Sequence, residues 1–382
     1  MPERKRILFL FSDTGGGHRS AMEAIIEAVN DRYPDLYESI PVDAFKDYAP
    51  PPLNRVPAAY PEMARHPRAW SLGYHAFDGP RRARAITTAT WPYVKPAVRR
   101  LVEEQPADLI VSVHPLLTGP LLKALGSKRP PFIVVVTDLV SAHAAWYQRQ
   151  VDLCLVPTEA ARWRALEFGM RPDQVRVIGL PVARPFCTPG ADRRAIRAEL
   201  GWPDDRPMVL LVGGGEGMGP LYATARAIAG TGDHFGLAIV TGRNERLRAQ
   251  LELVEWEVSA FIYGFERRMP MMMQAATLLV TKAGPGTIAE ALNAGLPMVL
   301  YSRVPGQEDG NVAYVVTEGV GVWAPGPART AAAVHAWLQS PDELEKAVAV
   351  ARSVARPGAA DEVASIIHEF LAGRRSESNA MP

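Results

Sequence analysis

The stretch that decides the fold is Thr281-Lys282-Ala283-Gly284-Pro285-Gly286-Thr287-Ile288-Ala289-Glu290. The apolar run before it, residues 276–280, has the length and β-branched content of a buried parallel strand. That strand leads into two glycines, which let the backbone approach a ligand, and then into a helix that Thr287 is predicted to cap. N–H groups at a helix start bind anions, and Glu290 follows about one turn later, so the pattern favours a phosphate beside a sugar hydroxyl. The alternative is an ordinary strand-to-helix crossover with Glu290 as a capping carboxylate.

A second polar loop follows the next predicted strand, residues 297–301. Within five positions it carries four polar side chains: Gln307, Glu308, Asp309 and Asn311. So many hydrogen-bonding groups directly after the first turn favour a ligand site over a plain crossover.

Composition limits the possible classes of function. The chain has 382 residues, enough for two domains with separate cores, and its formal net charge of +1 gives no global field that would attract nucleic acid. Two cysteines, Cys154 and Cys187, form no disulfide framework and indicate a reducing compartment. No run of about 18 apolar residues occurs, so the sequence predicts a soluble or peripheral protein.

The amino-terminal half opens with the first β-α unit of a doubly wound fold. A strand over residues 7–11 leads into three glycines, residues 15–17, and then into His18 and a helix over residues 21–29. The spacing is not the dinucleotide fingerprint, and it indicates an imidazole held at the mouth of a cleft. The alternative for His18 is a helix-start histidine bonded to backbone.

Polar residues also follow the later strands of this half, which are predicted over residues 109–113, 132–136, 153–156 and 175–182. His114 follows the first of them, while Asp138, His143 and Trp146 follow the second. Asp138 is expected to orient His18 or to act as a base itself; the alternative is a helix-capping aspartate.

The carboxy-terminal half repeats the order of strand, triple glycine and helix. After a strand over residues 208–212, five glycines in seven positions, residues 213–219, offer backbone amides to an anion. Further strands are predicted over residues 237–240, 259–263, 276–280, 297–301 and 320–323. The predicted domains are residues 1–185 and 186–355, followed by a helix over 356–374 that packs back on the first domain and a tail over 375–382.

Residues 45–100 have a different composition from the rest of the chain. Between positions 50 and 100, nine basic residues face two acidic ones, and aromatic residues such as Trp70 lie among many prolines. This mixture suits an anionic membrane interface. The alternatives are proline-broken helices with a solvated basic face, or a surface for single-stranded nucleic acid, although no RNA-binding motif accompanies it.

Taken together, these motifs resemble the monogalactosyldiacylglycerol synthase branch of family 28 glycosyltransferases over nearly the whole chain. The residues that carry the resemblance are Ser12-Asp13-Thr14-Gly15-Gly16-Gly17-His18-Arg19, His114-Pro115-Leu116, Val136-Thr137-Asp138-Leu139, Gly213-Gly214-Gly215-Glu216-Gly217-Met218-Gly219, and the segments 281–290 and 305–311. The resemblance implies the GT-B architecture, an α/β fold with two Rossmann-like doubly wound domains facing a central cleft. Residues 45–100 match only loosely, so acceptor residues there are not assigned.

The resemblance also implies roles for individual residues. Phe265 would lie near the uracil of a UDP-hexose, Glu290 would hold the ribose hydroxyls, and Gln307 and Glu308 would bind sugar hydroxyls. The predicted substrate-binding set is Gly16, Gly17, Gly215, Glu216, Gly217, Met218, Gly219, Phe265, Lys282, Gly284, Pro285, Gly286, Thr287, Glu290, Gln307, Glu308 and Asn311. The predicted acceptor or membrane side is Trp70, His114, His143 and Trp146.

The implied reaction is an inverting transfer from UDP-galactose to the free hydroxyl of 1,2-diacylglycerol by a UDP-hexose:1,2-diacylglycerol 3-β-glycosyltransferase. His18 is expected to be the base, with Asp138 as its orienter or the second choice. Backbone N–H groups would stabilise the leaving UDP, and the absence of any D-x-D motif favours a reaction that needs no metal or other cofactor.

Other functions stay open at this point. They are a diacylglycerol glucosyltransferase that uses UDP-glucose, either processive or not, a UDP-sugar epimerase, and a non-catalytic UDP-sugar-binding protein. The expected partners are the UDP-sugar, diacylglycerol and an anionic membrane surface, with no nucleic acid. The expected location is cytoplasmic, peripheral on the inner face of the cell membrane.

Overall fold

The computed structural model describes residues 4–14, 16–64, 66–188, 192–217, 219–232 and 234–378. The chain forms two compact units, Met1–Ala183 together with Gly358–Pro382, and Arg184–Pro357. Three parts of the predictions lie outside the described residues: Gly15, Met218 and the last four positions of the tail, residues 379–382.

The first unit contains a parallel sheet of six strands among its described residues, in the order β2-β1-β3-β4-β5-β6. The strands are β1 (Lys5–Phe11), β2 (Tyr37–Asp43), β3 (Leu109–Ser112), β4 (Phe132–Val135), β5 (Leu153–Val156) and β6 (Val175–Val177). The helices are α1 (Gly17–Arg32), α2 (Ala44–Asp47), α3 (Val56–Ala64), α4 (Pro67–Phe77), α5 (Pro80–Glu104), α6 (Pro115–Leu125) and α7 (Glu159–Glu167). Short 3-10 turns occupy Leu53–Arg55, Ala144–Trp146 and Pro172–Gln174.

The alternation of side chains along β1 explains why this sheet is covered on both faces. Leu8 and Leu10 belong to one hydrophobic cluster, while Ile7 and Phe9 belong to another on the opposite face. A parallel strand that is apolar on both faces needs helices on both sides, which is the doubly wound arrangement that the sequence predicts.

Strand β2 was missed because its sequence carries charges and a proline. It lies at the edge of the sheet, where Pro41 is tolerated because an edge strand need not donate every backbone N–H. Strand β6 ends at Val177, well before the predicted residue 182, and the chain turns at Gly179 with φ +92°. The predicted length of this last strand is therefore wrong.

The second unit has its own parallel sheet, in the order β12-β11-β10-β7-β8-β9 within the described residues. Its strands are β7 (Met208–Val212), β8 (Gly236–Val240), β9 (Ser259–Tyr263), β10 (Leu278–Lys282), β11 (Met298–Ser302) and β12 (Gly321–Trp323). Its helices are α8 (Arg184–Cys187), α9 (Arg193–Leu200), α10 (Leu221–Ala229), α11 (Glu245–Glu252), α12 (Met269–Ala275), α13 (Pro285–Asn293), α14 (Asp309–Thr317), α15 (Pro327–Leu338) and α16 (Pro341–Val354).

Strand β10 begins two positions later than predicted, because Ala276 closes helix α12. As a result Lys282 is the last residue of the strand, at the sheet edge where ligands bind in such folds. The predicted α/β class with two Rossmann-like doubly wound domains is confirmed by the two sheets.

The last helix, α17 (Ala359–Ser378), packs on the first unit. Its residues Val363 and Ile367 share a buried cluster with Met22 and Ile25 of α1. Tyr37 Oη lies 2.7 Å from His368 Nδ1 across the same contact. The helix continues past Arg374, after which the sequence predicts a tail.

Candidate active site

In the first unit, His18 lies in the first turn of α1, at the end of the sheet where the strands finish. Its Nδ1 atom is 2.8 Å from Oγ1 of Thr137, which lies two positions after the end of β4. Gly16 precedes the helix in the left-handed conformation, with φ +81°, and so turns the chain from β1 toward this position. Topology therefore brings together two side chains that are 119 positions apart.

His114 forms the second part of this cluster. Its Nδ1 atom accepts a hydrogen bond from the backbone N–H of Leu116 at 3.3 Å, which assigns the ring proton of the neutral imidazole to Nε2. Nε2 lies 3.1 Å from the hydroxyl of Thr14, and the ring centroid is 4.7 Å from that of His18. The two imidazoles are thus in edge contact, each with a threonine hydroxyl.

Both histidines favour the neutral form. Burial lowers the pKa of His18 to about 4, although the Val113 carbonyl raises it in part. Burial lowers the pKa of His114 well below its usual value, and the neighbouring His18 lowers it further. At neutral pH the His18 ring is therefore uncharged and able to accept a proton from a hydroxyl group.

Asp138 is buried, and its Oδ2 atom accepts a hydrogen bond of 2.7 Å from Nε1 of Trp146. The Trp146 ring in turn lies 5.9 Å from the His18 ring, centroid to centroid. Asp138 is the residue predicted to orient His18, and the contact at Nδ1 of His18 is made by the neighbouring Thr137, while the Asp138 carboxylate accepts from Trp146. Sequence reasoning missed Thr137, although a hydroxyl at a strand end just before Asp138 was the available signal.

The side chains predicted for the acceptor or membrane side separate into two groups. Trp146 and His114 are buried, so these two side chains do not contact a membrane surface in this structure. His143 accepts a hydrogen bond from the N–H of Ala145 at 3.1 Å, and Trp70 packs edge-on against Tyr60 with ring centroids 5.5 Å apart. Neither Trp70 nor His143 is among the large apolar side chains that the first unit exposes.

Helix α4 carries two of the exposed large apolar side chains of the first unit. Leu72 is 74 % exposed and Phe77 is 55 % exposed, and Arg68 on the same helix is also exposed. The helix is attached to the rest of the unit just after its end, where Asp78 accepts a hydrogen bond of 2.9 Å from the N–H of Ala144 and pairs with Arg164. The apolar side chains of α4 thus stand on a segment that is held in place.

In the second unit, the glycine loop after β7 packs directly against the loop after β8. Gly217 has φ +58°, and a Cβ atom there would come within 2.2 Å of the Thr241 carbonyl oxygen. A Cβ atom on Gly242 would come within 2.3 Å of the Gly215 carbonyl oxygen. The backbone accepts only glycine at these two contacts, so the loop is fixed in position.

The turn after β10 lies close to this loop. Gly284 is the residue before helix α13, Pro285 is its first residue, and Thr287 lies inside the first turn. The prediction that Thr287 caps the helix is therefore wrong, because proline is well suited to the first helical position and starts the helix earlier. The free N–H groups of the first turn are left for another acceptor.

Glu290 lies one turn into α13 and is partly buried. Within the described residues its carboxylate accepts no hydrogen bond and forms no ion pair, and burial raises its pKa to about 7. A carboxylate kept in a desolvated place without donors is suited to a ligand that brings its own hydroxyl groups.

Glu308, predicted to bind sugar hydroxyls, and Asn311, predicted as a substrate-binding residue, both contact other parts of the chain. Glu308 is 3 % exposed; its Oε1 is 2.6 Å from Lys282 Nζ, and its Oε2 accepts a hydrogen bond of 2.7 Å from the Val304 N–H. Asn311 is 1 % exposed and donates to the Ala283 carbonyl at 2.9 Å. Both side chains hold the loop after β11 against the turn after β10. Gln307 is less buried and remains the predicted sugar contact.

Phe265, predicted to lie near the base, is 55 % exposed, and the Arg243 guanidinium covers its ring at 4.5 Å from the centroid. Arg243 also pairs with Glu216 of the glycine loop, with 2.8 Å between Nη1 and Oε1. The aromatic ring and the guanidinium are both flat groups on which a nucleobase can stack. Arg243 was missed by sequence reasoning, although it directly follows the Thr241-Gly242 turn.

Two family models match the chain. The model described as monogalactosyldiacylglycerol (MGDG) synthase matches residues 18–182, and the model of the glycosyltransferase family 28 C-terminal domain matches residues 208–335. A probable monogalactosyldiacylglycerol synthase of Nicotiana tabacum, described as chloroplastic, is 37 % identical over 99 % of this chain and 73 % of its own length. The chain belongs to the monogalactosyldiacylglycerol synthase family. It is a glycosyltransferase of that family, and the predicted resemblance is confirmed.

Other relatives and solved structures agree. Monogalactosyldiacylglycerol synthase 1 of Arabidopsis thaliana, also described as chloroplastic, is 37 % identical over 97 % of this chain and 72 % of its own length. The crystal structure of MurG from Acinetobacter baumannii matches with a TM-score of 0.65 at 15 % identity, covering 96 % of this chain and 99 % of that chain. At that identity the likeness shows the fold, and it agrees with the GT-B architecture predicted from the sequence.

One prediction is overturned by these relatives. The sequence suggests a cytoplasmic protein on the inner face of the cell membrane, whereas the curated relatives from tobacco, rice and Arabidopsis are described as chloroplastic. The predicted location is therefore wrong; it was inferred from cysteine usage and a basic segment, neither of which distinguishes one membrane from another. None of the helices in the described parts of the chain has both the length and the apolar composition needed to cross a bilayer.

Proposed function

We propose that this protein transfers galactose from UDP-galactose to the free hydroxyl of 1,2-diacylglycerol with inversion, forming a β-linked monogalactosyldiacylglycerol. The observation that carries the proposal is Glu290, a partly buried carboxylate without a partner among the described residues, one turn into a helix whose first N–H groups are free. A ligand with an anion next to two hydroxyls satisfies both features, and the ribosyl diphosphate of UDP is such a ligand.

The donor side of the proposal uses elements of the second unit. The N–H groups of the fixed glycine loop and of the start of α13 bind the diphosphate, Glu290 binds the ribose hydroxyls, and Phe265 with Arg243 flanks the uracil. Gln307 contacts the hexose. These groups also stabilise the negative charge that develops on the departing UDP.

The base in the proposed reaction is His18. Its neutral imidazole takes the proton from the acceptor hydroxyl as the oxygen attacks the anomeric carbon, and the bond from that carbon to the diphosphate oxygen breaks. UDP leaves with the bonding electron pair. Attack opposite to the leaving group converts the α-linked donor into a β-linked product. Thr137 holds the ring through Nδ1, and the proposal leaves Asp138 as the support of Trp146.

In the proposed reaction, backbone N–H groups and cationic side chains of the chain stabilise the leaving UDP. This supports a reaction that needs no metal ion. A chelator should therefore leave turnover unchanged when the lipid is presented in uncharged detergent micelles. Loss of turnover that returns with an added divalent cation would contradict this part of the proposal.

The proposal also includes docking on an anionic membrane surface through α4. Leu72 and Phe77 are exposed apolar side chains next to exposed arginines, which is a combination that binds the interface of charged bilayers. Co-sedimentation with vesicles should rise with the fraction of anionic lipid and fall with salt.

The deciding experiment offers diacylglycerol with UDP-galactose and with UDP-glucose separately and analyses the lipid product by mass spectrometry and proton NMR. A β-galactolipid formed with UDP-galactose supports the proposal. A glucolipid or a product with two sugars points to the processive diacylglycerol glucosyltransferases. Conversion of the UDP-sugar without acceptor indicates an epimerase, and binding without any conversion indicates a sensor.

A further inference from the structure

The buried pair of Lys282 and Glu308 is the feature that the predicted roles do not explain. We propose that Lys282 binds the diphosphate of the donor and that Glu308 is its positioning residue, not a contact of the hexose. The inference rests on the proposed UDP-sugar donor and assigns separate roles to two members of its site.

The position of Lys282 supports this role. A Cβ atom built on Gly284 would lie 3.1 Å from Lys282 Nζ, and one built on Gly214 would lie 3.5 Å from Cε of the same side chain. The ammonium group is therefore next to both anion-binding elements, the glycine loop after β7 and the start of α13. A cation at that place adds charge where two sets of backbone N–H groups already favour an anion.

The surroundings of Glu308 explain how the lysine is held. One carboxylate oxygen is 2.6 Å from Lys282 Nζ and the other is 2.7 Å from the Val304 N–H, and the side chain is 3 % exposed. A carboxylate with both oxygens engaged and almost no accessible surface has little room to meet a sugar hydroxyl. It can, however, fix the flexible four-carbon stem of a lysine.

The first test measures the affinities of uridine and UDP for the full chain by calorimetry. In Lys282→Met, we expect UDP binding to weaken about 10- to 100-fold while uridine binding stays unchanged, because only UDP carries the diphosphate. Lys282→Arg should restore part of the difference. An unchanged ratio of UDP to uridine affinity in Lys282→Met would overturn the role of Lys282.

The second test uses Glu308→Gln. In the carboxamide an NH2 group replaces one of the two carboxylate oxygens, and that donor would face either Lys282 Nζ or the Val304 N–H, which are donors themselves. The lysine is then held less well, and UDP binding should weaken. The ratio of UDP-galactose to UDP affinity should stay constant, and Glu308→Gln should have no further effect on UDP affinity in the Lys282→Met background. If UDP binds normally and only UDP-galactose binds more weakly, Glu308 contacts the hexose and the inference is wrong.

Two controls separate folding from binding. Removal of one member of a buried pair destabilises a protein, so the double variant Lys282→Met/Glu308→Gln, which leaves no unpaired charge, keeps the test valid if Lys282→Met does not fold. The exposed pair of Lys346 and Glu343 on α16, 2.7 Å apart, provides matched substitutions in the same unit that should change neither affinity. A wild-type protein that binds no UDP would refute the proposed function itself, whereas normal wild-type binding with unaffected variants refutes only this inference.

Discussion

The carboxyl group of Glu290 gives the proposed donor site a pH dependence that can be measured. Burial raises its pKa to about 7 in the unliganded protein. Ribose hydroxyls that donate hydrogen bonds to the carboxylate favour its charged form, so binding of a nucleoside lowers the pKa and releases a proton. Affinity should therefore increase as the pH rises through 7 and become constant above it.

The size of the effect follows from that pKa. With a value of about 7, about one tenth of the carboxyl groups are ionised at pH 6 and about nine tenths at pH 8, so uridine affinity should rise about tenfold between them. Binding should release about 0.9 proton at pH 6 and about 0.1 at pH 8. Uridine is the suitable ligand because, unlike UDP, it has no phosphate that titrates in this range.

Calorimetry in pairs of buffers with different ionisation enthalpies measures the protons released. Glu290→Gln is the control; it should bind uridine more weakly and without pH dependence, since an amide does not titrate. Wild-type affinity that is constant from pH 6 to pH 8 would refute the assignment of Glu290 to the ribose. An equal pH dependence in Glu290→Gln would assign the proton to a different group.

Four further predictions concern other parts of the molecule. In His18→Gln, kcat should fall about 10²- to 10⁴-fold with UDP affinity unchanged, since a general base acts on the acceptor; a loss of only a few-fold would make His18 structural. The acid limb of the wild-type kcat/KM profile should lie near pH 4, below the ordinary histidine value, because burial lowers the pKa of His18 to about 4. Gly217→Ala should abolish most UDP binding because its Cβ atom would come within 2.2 Å of the Thr241 oxygen, whereas Gly358→Ala, where an added Cβ atom meets open space, serves as the control in the same assay. Leu72→Ser should reduce vesicle binding and leave turnover on detergent-dispersed acceptor intact; unchanged vesicle binding would remove α4 from the membrane contact.

The sequence predicted most of the sheet strands because buried parallel strands are continuous apolar runs. It failed at β2, where Pro41 and nearby charges hide an edge strand, and at β6, where an apolar run continues after the strand has ended. The spacing of apolar residues indicates which face of a strand is buried, but it does not indicate where hydrogen bonding to the next strand ends. The two glycine turns were found because their composition departs strongly from that of ordinary loops.

Predictions for individual site residues were less complete, because they depend on partners far away in the chain. The contact of His18 with Thr137 joins residues 119 positions apart, and that of Lys282 with Glu308 joins residues 26 positions apart. A motif indicates which residue types lie at the edge of a sheet, but the tertiary structure determines which of these side chains are in contact. For this reason Thr137 and Arg243 were missed.

Glu290 and Glu308 show that two residues of the same type in neighbouring motifs can have different roles, and that their hydrogen-bond and ion-pair partners distinguish these roles. Both are glutamates near the carboxyl ends of neighbouring strands, and the sequence assigns both to the donor. Glu308 has a lysine and a backbone N–H for its two oxygens, so its charge is satisfied before any ligand arrives. Among the described residues, Glu290 has no lysine or backbone N–H as a partner. Its raised pKa reflects the free-energy cost of removing a carboxylate from water. A ligand with hydroxyl donors recovers that free energy on binding, which is why we place the ribose at Glu290 and not at Glu308.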